Sequence, residues 1–264
     1  MSPLPTYDAE RLGELLGLLP DVDSVELKLT VPDADHRRVL DGLGIDALDA
    51  ELRQVAFIDT PDLRLSGVGL VVRARRTQRK AGDVAVKLRP MLPADVPEDL
   101  RGIDGFKVEI DASPQGFTCS CSLTVAAHDH KVRALYGEQG RLAKLLSATQ
   151  RKVLDDHLPA GVALADLRVL GPLTLLKAKF EPEGLARKMV AELWFLPDGS
   201  RILELSTKAP PRIAFQAAAE TKVFLAGRGI DLAAPQDTKT RTAMRALAAT
   251  LPETPRTDPG DAPG

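Results

Sequence analysis

The chain has 264 residues, 44% hydrophobic and only 4% aromatic, with 35 basic and 37 acidic side chains and a net charge of −2. That is apolar material for one large domain or two small ones. The balanced charge argues against a nucleic-acid surface spread over the whole protein, the few aromatics argue against stacking platforms for single strands, and no apolar run approaches the ~18 residues of a membrane span.

Residues 8–19 place Leu12, Leu15, Leu16 and Leu19 at helical spacing before Pro20. Met1 to Asp8 has neither the basic start nor the apolar stretch of a signal peptide. A strand is predicted over 22–31, a helix from Asp33 to about Gly42, and a second strand over 50–58. Asp59-Thr60-Pro61-Asp62 reads as a turn leading to a short helical turn near Gly67 and Gly69. Strands follow at 69–77 and 83–90, joined by a hairpin turn at Ala81-Gly82-Asp83, and another at 105–112. Cys119 and Cys121 are too close in an extended chain for an unstrained disulfide, so they read as reduced thiols of a cytoplasmic protein, and no histidine pattern completes a zinc site. Residues 123–158 read as a helical insert in three pieces: 131–136, 141–146 and 149–158. Strands at 167–181, 187–196 and 200–208, helices at 212–228 and 238–249, and a tail over 251–264 that is rich in Pro, Gly and Asp and reads as disordered complete the chain. Residues 1–250 read as one domain of class α+β: an antiparallel sheet with helices outside.

Six of the strands repeat one pattern. Side chains on a strand alternate faces, so Glu26 and Lys28 share a face opposite Val25, Leu27 and Leu29. Arg73 with Arg75, Lys87 with Arg89, Lys107 with Glu109 and Asp111, Lys177 with Lys179, and Glu204 with Lys208 do the same. If these faces point one way, with Glu192 among them, bases outnumber acids on the shared surface although the whole chain is slightly acidic. Such a surface suits a polyanion held with a divalent metal: basic groups neutralise phosphate oxygens and carboxylates offer hard oxygen ligands. Periodicity leaves two arrangements open, an open sheet with a solvated charged face or a closed barrel with charge inside, where burial is costly unless the charges are paired or a ligand occupies them. His128-Asp129-His130 lacks a third ligand and reads as a solvated segment. Gln236 to Arg241 reads as the polar start of a helix capped by Asp237 or Thr238.

In their order along the chain these segments resemble the CYTH domain family, the triphosphate tunnel metalloenzymes, which include class IV adenylate cyclases, thiamine triphosphatases and inorganic triphosphatases. Ser24-Val25-Glu26-Leu27-Lys28 is similar to the family's Glu-x-Glu-x-Lys strand. Phe57-Ile58-Asp59-Thr60 resembles its aromatic-x-Asp-Thr segment, and Leu70-Val71-Val72-Arg73-Ala74-Arg75 its Leu-x-x-Arg-x-Arg strand. Val86-Lys87-Leu88, Lys107-Val108-Glu109, Glu192 and Ile202-Leu203-Glu204-Leu205-Ser206 match later strands, and the likeness covers about residues 22–245.

The resemblance implies an eight-stranded closed antiparallel β-barrel, open at both ends, with charges in the lumen. It implies Mg²⁺ or Mn²⁺ held by Glu26, Glu109, Glu192 and Glu204, and phosphates held by Lys28, Arg73, Arg75, Lys87, Lys177, Lys179 and Lys208. Glu26 and Lys28 would stand at the catalytic centre. The expected partner is a small triphosphate or inorganic polyphosphate, with neither nucleic acid nor membrane. The expected activity is metal-dependent triphosphate hydrolysis; the alternatives are a binding module without turnover and an adenylate cyclase. A further, non-phosphate reading makes the helical insert a platform for a partner. Ser24 departs from the pattern where the family has its first glutamate, and Asp23 or Asp111 are the carboxylates placed to compensate.

Overall fold

The structure, a computed structural model, describes residues 8–137, 142–236 and 238–252. Its strands are β1 (Ser24–Val31), β2 (Glu51–Asp59), β3 (Leu70–Thr77), β4 (Lys80–Leu88), β5 (Phe106–Ser113), β6 (Gly116–Ala127), β7 (Arg168–Phe180), β8 (Met189–Phe195) and β9 (Arg201–Ala209). They close into a barrel in the order β1-β5-β6-β4-β3-β2-β7-β8-β9, with β9 returning to β1. Every neighbouring pair is antiparallel except β1 with β5, which run parallel with Glu26 beside Asp111.

Two expectations are corrected here. The barrel has nine strands, not eight, and its sheet is mixed, not antiparallel. The extra strand is β6, whose Thr118, Ser120, Ser122 and Thr124 alternate with Cys119, Cys121 and Leu123. Its polar face carries hydroxyls instead of charges, so the signal that marks the other strands is missing. The parallel pair then follows from parity. A closed ring in which every neighbour is antiparallel needs an even number of strands, and a ninth forces one pair to run the same way.

The helices are α1 (Ala9–Leu18), α2 (His36–Gly42), α3 (Arg64–Gly67), α4 (Glu98–Arg101), α5 (Asp129–Gly137), α6 (Leu142–Leu145), α7 (Ala148–His157), α8 (Ala214–Gly227) and α9 (Lys239–Ala248). The helical insert thus begins at Asp129, not at 123, because β6 runs to Ala127. Residues 138–141, where its second piece was expected to begin, lie outside the described residues, as do Asp237 and the tail from 253.

The outward faces of the strands are apolar and roofed by helices. Val72, Val84, Val86, Val108, Ile110, Cys119 and Cys121 form one core with Val132, Leu135 and Leu154 of the insert. Leu29, Val31, Leu203 and Leu205 form another with Val39 of α2 and Leu225 of α8. A fully buried leucine or valine contributes about 1.5–3 kcal/mol, so these contacts hold the barrel closed. Gln150 of α7 is buried against it and donates its amide to the carbonyls of Val84 (2.8 Å) and Leu123 (3.0 Å). Both cysteines are free and buried, and burial pushes the Cys119 thiol up to about 11. A largely apolar cavity of about 390 Å³ lies outside the barrel, between α1, α8 and the outer side of β1 and β9.

Gly82 is not the hairpin turn that its sequence context suggests. The β3–β4 turn falls at Gln78-Arg79, with Arg79 at φ 58°, and β4 begins at Lys80. A Cβ at Gly82 would lie 2.7 Å from the Arg75 carbonyl oxygen and 3.1 Å from the Val132 methyl, so glycine there admits α5 to the sheet. Gly69 combines φ 80° with a Cβ position 2.0 Å from the Arg89 carbonyl oxygen, which explains the Gly67-Val68-Gly69 pair as a turn under close approach. No helix among the described residues is long and apolar enough to cross a membrane.

α9 corrects a third expectation, a lumen open at both ends. Its Ala243, Met244 and Leu247 are fully buried against Val55, Phe57, Leu173, Leu175 and Trp194. The strand registers place these five side chains on the same face as the charged residues, inside the barrel. The helix therefore fills that part of the lumen as an apolar stopper.

Candidate functional site: the charged lumen

The registers settle where the alternating charges point. Glu26 lies opposite Lys208, Lys28 opposite Ser206, Arg75 opposite Asp83, Lys177 opposite Glu192, and Glu192 opposite Glu204. Directly paired residues lie side by side on one face of the sheet, so these side chains line the same inner wall of the barrel. The apolar outer cores occupy the other face of each strand. Lys179 shares the face of Lys177 and is exposed toward the rim.

Three groups of charges result. In the first, Asp111, only 4% exposed, is met by Lys28 at 2.8 Å, Lys87 at 3.2 Å and Arg89 at 3.5 Å. Burial alone would raise the Asp111 carboxyl, but Lys28, Lys87 and Arg89 outweigh it and hold it far below the usual carboxylate range. Burial works against the charge of Lys28 too, yet Asp111, Glu26 and Glu204 keep that ammonium's pKa above its ordinary value. Lys87 goes the other way: burial, reinforced by Lys28 and Arg89, lowers it despite Asp111. Glu26 touches Lys28 at 3.3 Å.

In the second group Arg75 grips Asp83 through Nε (2.8 Å) and Nη2 (2.6 Å), and Arg73 reaches the same carboxylate only at 3.7 Å. The Arg73 Nε is buried with no hydrogen-bond partner among the described residues. Burial, together with Arg75, lowers the pKa of Arg73. Arg53 and Lys80 share Glu51 nearby.

The third group is centred on Lys239, the first residue of α9. Its ammonium lies 2.5 Å from Glu192 Oε2, 2.5 Å from Glu204 Oε1 and 5.1 Å from the centre of the Trp194 ring. Lys177 binds the other Glu192 oxygen at 2.8 Å, and Trp194 Nε1 donates to Glu192 at 3.3 Å. Burial opposes all these charges. Glu204 and Glu192 nonetheless raise the pKa of Lys239, and Lys239 with Lys177 holds Glu192 well below its ordinary value. Lys177 is lowered by burial in spite of Glu192.

Ser24 has a defined role. Its hydroxyl donates to Glu109 Oε1 at 2.9 Å, and Lys208 binds the same oxygen at 2.6 Å, a pair that depresses Glu109 against its burial. Asp23 does not enter the lumen set: its carboxylate accepts the Val108 N–H at 2.7 Å and pins β1 to β5. Asp59 is structural as well, capping α3 by accepting the N–H groups of Leu65 (2.8 Å) and Ser66 (2.9 Å). Asp129 pairs with Arg76 through two 2.8 Å contacts, while His128 and His130 stack on each other.

The four carboxylates expected to hold a metal are thus each joined to an ammonium: Glu26 to Lys28, Glu109 to Lys208, Glu192 to Lys177 and Lys239, Glu204 to Lys239. No three carboxylate, imidazole or thiol groups among the described residues are grouped to hold a metal ion. As arranged, the donors do not fit Mg²⁺ or Mn²⁺, which need several free oxygens converging on one point.

Sequence reasoning named neither Lys239 nor Asp83 as a site residue. Lys239 had a signal: it stands at i, i+4 and i+8 with Ala243 and Leu247, a lysine in line with a helix's apolar stripe. Asp83 stands opposite Arg75, but its strand was expected to begin there, within a turn.

Solved structures that resemble this barrel include two with the same TM-score. One, from Bacillus halodurans, is provisionally named an adenylate cyclase; it is 15% identical, with a TM-score of 0.59 over 84% of this chain and 97% of its own. The other, from Hippeastrum, is provisionally named an adenylyl cyclase and described as having a dominant triphosphatase activity. It is 17% identical, with a TM-score of 0.59 over 82% of this chain and 93% of its own. No family model matches the sequence, and no curated protein matches it in sequence. The chain shares the closed-barrel fold of these proteins, and the CYTH-type resemblance read from its strands holds at the level of fold.

Proposed function

We propose that the barrel binds the phosphate chain of a small triphosphate, or of inorganic polyphosphate, inside its lumen. One observation carries this reading: among the described residues, Lys28, Lys87, Arg89, Arg73 and Arg75 form ion pairs with only Asp111, Glu26 and Asp83. An inward surplus of positive charge is costly in a partly buried space unless an anion relieves it. Arg73 is the clearest site for a phosphate oxygen, since its Nε has no hydrogen-bond partner among the described residues and its carboxylate neighbour is at 3.7 Å. Lys87 would meet phosphate oxygens beside Arg89, with Lys177, Lys179 and Lys208 toward the ends of the chain. Arginine matches the phosphate oxygens with a planar fork, lysine with a point charge. Titration calorimetry with tripolyphosphate tests this: binding that Arg73→Met and Lys87→Met each abolish or weaken supports the reading, and no binding by the intact protein defeats it.

Hydrolysis is the second reading, favoured by the triphosphatase activity ascribed to the Hippeastrum structure. Among the described residues Glu26 is the lumen carboxylate least engaged by cations, with Lys28 at 3.3 Å, and is the group best placed to orient a water. Lys28 would stabilise charge gathering on the leaving phosphate. Phosphate release from tripolyphosphate, thiamine triphosphate or ATP, with and without Mg²⁺ or Mn²⁺, decides it against a Glu26→Ala control. Cyclic AMP formed from ATP would instead assign the cyclase reaction.

A further inference from the structure

We propose that the Lys239 ammonium is a built-in cation occupying the place of a divalent ion between Glu192 and Glu204, so that the barrel takes up a phosphate chain without a metal of its own. The inference rests on the phosphate-binding reading above and deepens it.

Four observations carry it. First, one ammonium touches both carboxylates at 2.5 Å and faces the Trp194 ring, so each side of the cation is engaged. Second, the cation is delivered by a fixed support. Lys239 stands one and two helical turns before Ala243 and Leu247, which are sealed among Val55, Phe57, Leu173 and Leu175. Its side chain is only 14% exposed. Third, Glu109 is not left over for a metal. Glu109 accepts from Lys208 and from Ser24, so the serine at the first hallmark position completes an ion pair there. Fourth, Lys177 neutralises the second oxygen of Glu192. A divalent ion entering this corner would have to displace Lys239 and leave its ammonium buried without a partner, a heavy penalty. Electrostatic consistency supports the same view: Lys28 feels Glu204, and Lys239 feels Lys28, so the corner is part of one field already balanced by protein charges.

The test uses the full-length protein and two probes, tripolyphosphate and Mn²⁺. Calorimetry with tripolyphosphate is run in EDTA and in MgCl₂ at matched free tripolyphosphate, and Mn²⁺ binding is followed separately by electron paramagnetic resonance. The expected result is tripolyphosphate affinity equal within about threefold in the two buffers, and no bound Mn²⁺. In Lys239→Met, Mn²⁺ binding should appear at the vacated carboxylate pair. Tripolyphosphate binding that requires MgCl₂, or Mn²⁺ bound tightly by the unaltered protein, overturns the inference. If tripolyphosphate binds in neither buffer, the phosphate reading falls with it. The Mn²⁺ result on the unaltered protein needs no variant to fold.

Discussion

Around Asp111, three cations converge on one buried carboxylate; around Lys239, two carboxylates are matched by two lysines. Both groups lie inside one barrel, on strands with the same alternation of charge. The difference is in what each lacks. The Lys239 group is complete: its charges cancel, its cation is anchored by an apolar helix, and removing a member uncovers a buried charge. The Asp111 group, with Arg73 and Arg75 beyond it, carries an excess of positive charge and a buried guanidinium N–H without a hydrogen-bond partner among the described residues. On the reading proposed above, similar residues serve stability at one place and ligand capture at the other, and the balance of partners separates the roles.

The largest expected effect comes from breaking the balanced group. Lys239→Met leaves Glu192 and Glu204 buried around a thioether, and should cost about 3–5 kcal/mol, a fall in Tm on the order of 10 °C. Adding Glu204→Gln should return part of it in thermal unfolding. If Lys239→Met melts like the unaltered protein, the two groups do not differ as described.

Removing a cation from the unbalanced group should do the reverse. Lys87→Met should weaken tripolyphosphate binding by about 10- to 100-fold in calorimetry, the range of a charge-assisted contact. Its Tm should change little, because burial and the neighbouring Lys28 and Arg89 already disfavour the Lys87 charge. Equal losses of stability in both variants would erase the contrast.

pH sharpens it further. Lys87 has a folded pKa below its unfolded one, so between the two the unfolded chain binds more protons and this residue's share of stability rises with pH. Phosphate affinity moves oppositely and should decline before the usual lysine range near 10.4 is reached. Lys239, raised by Glu204 and Glu192, stays charged beyond that range, so its contribution is present below the unfolded value and lost only as pH climbs through the folded one. Asp111 is depressed, so its contribution is complete above the unfolded carboxyl range and is lost only in strong acid. Calorimetry and thermal melts from pH 7 to 10 should therefore show affinity falling while Tm holds; both falling together would contradict the assignment. The smallest effect is that of Ser24→Ala, which removes one half-buried hydrogen bond to Glu109 and should cost about 1 kcal/mol in denaturant unfolding.

Much of this lumen was legible in the sequence. Alternation at Glu26/Lys28, Arg73/Arg75 and Glu204/Lys208 marks strands whose charged faces turn out to meet, because period two is a property of the backbone. β6 escaped because hydroxyls and thiols alternate there without a charge to mark the face. The parallel β1–β5 pairing follows from that strand and could not be inferred without it. The Lys239 group was illegible for a different reason: strand periodicity says nothing about a helix 30 residues downstream of the last strand entering the same lumen. Roles are harder to read than faces, since Glu192 and Glu204 look like free ligands until the ammonium between them is seen.

A crystal structure of the full-length protein soaked with tripolyphosphate in EDTA tests the central claim most directly. Phosphate density is expected in the lumen, with oxygens at hydrogen-bonding distance from Arg73, Lys87 and Arg89 and with Lys239 still between Glu192 and Glu204. Phosphate bound only on the barrel's exterior, or a lumen left without it at saturating concentration, would contradict it.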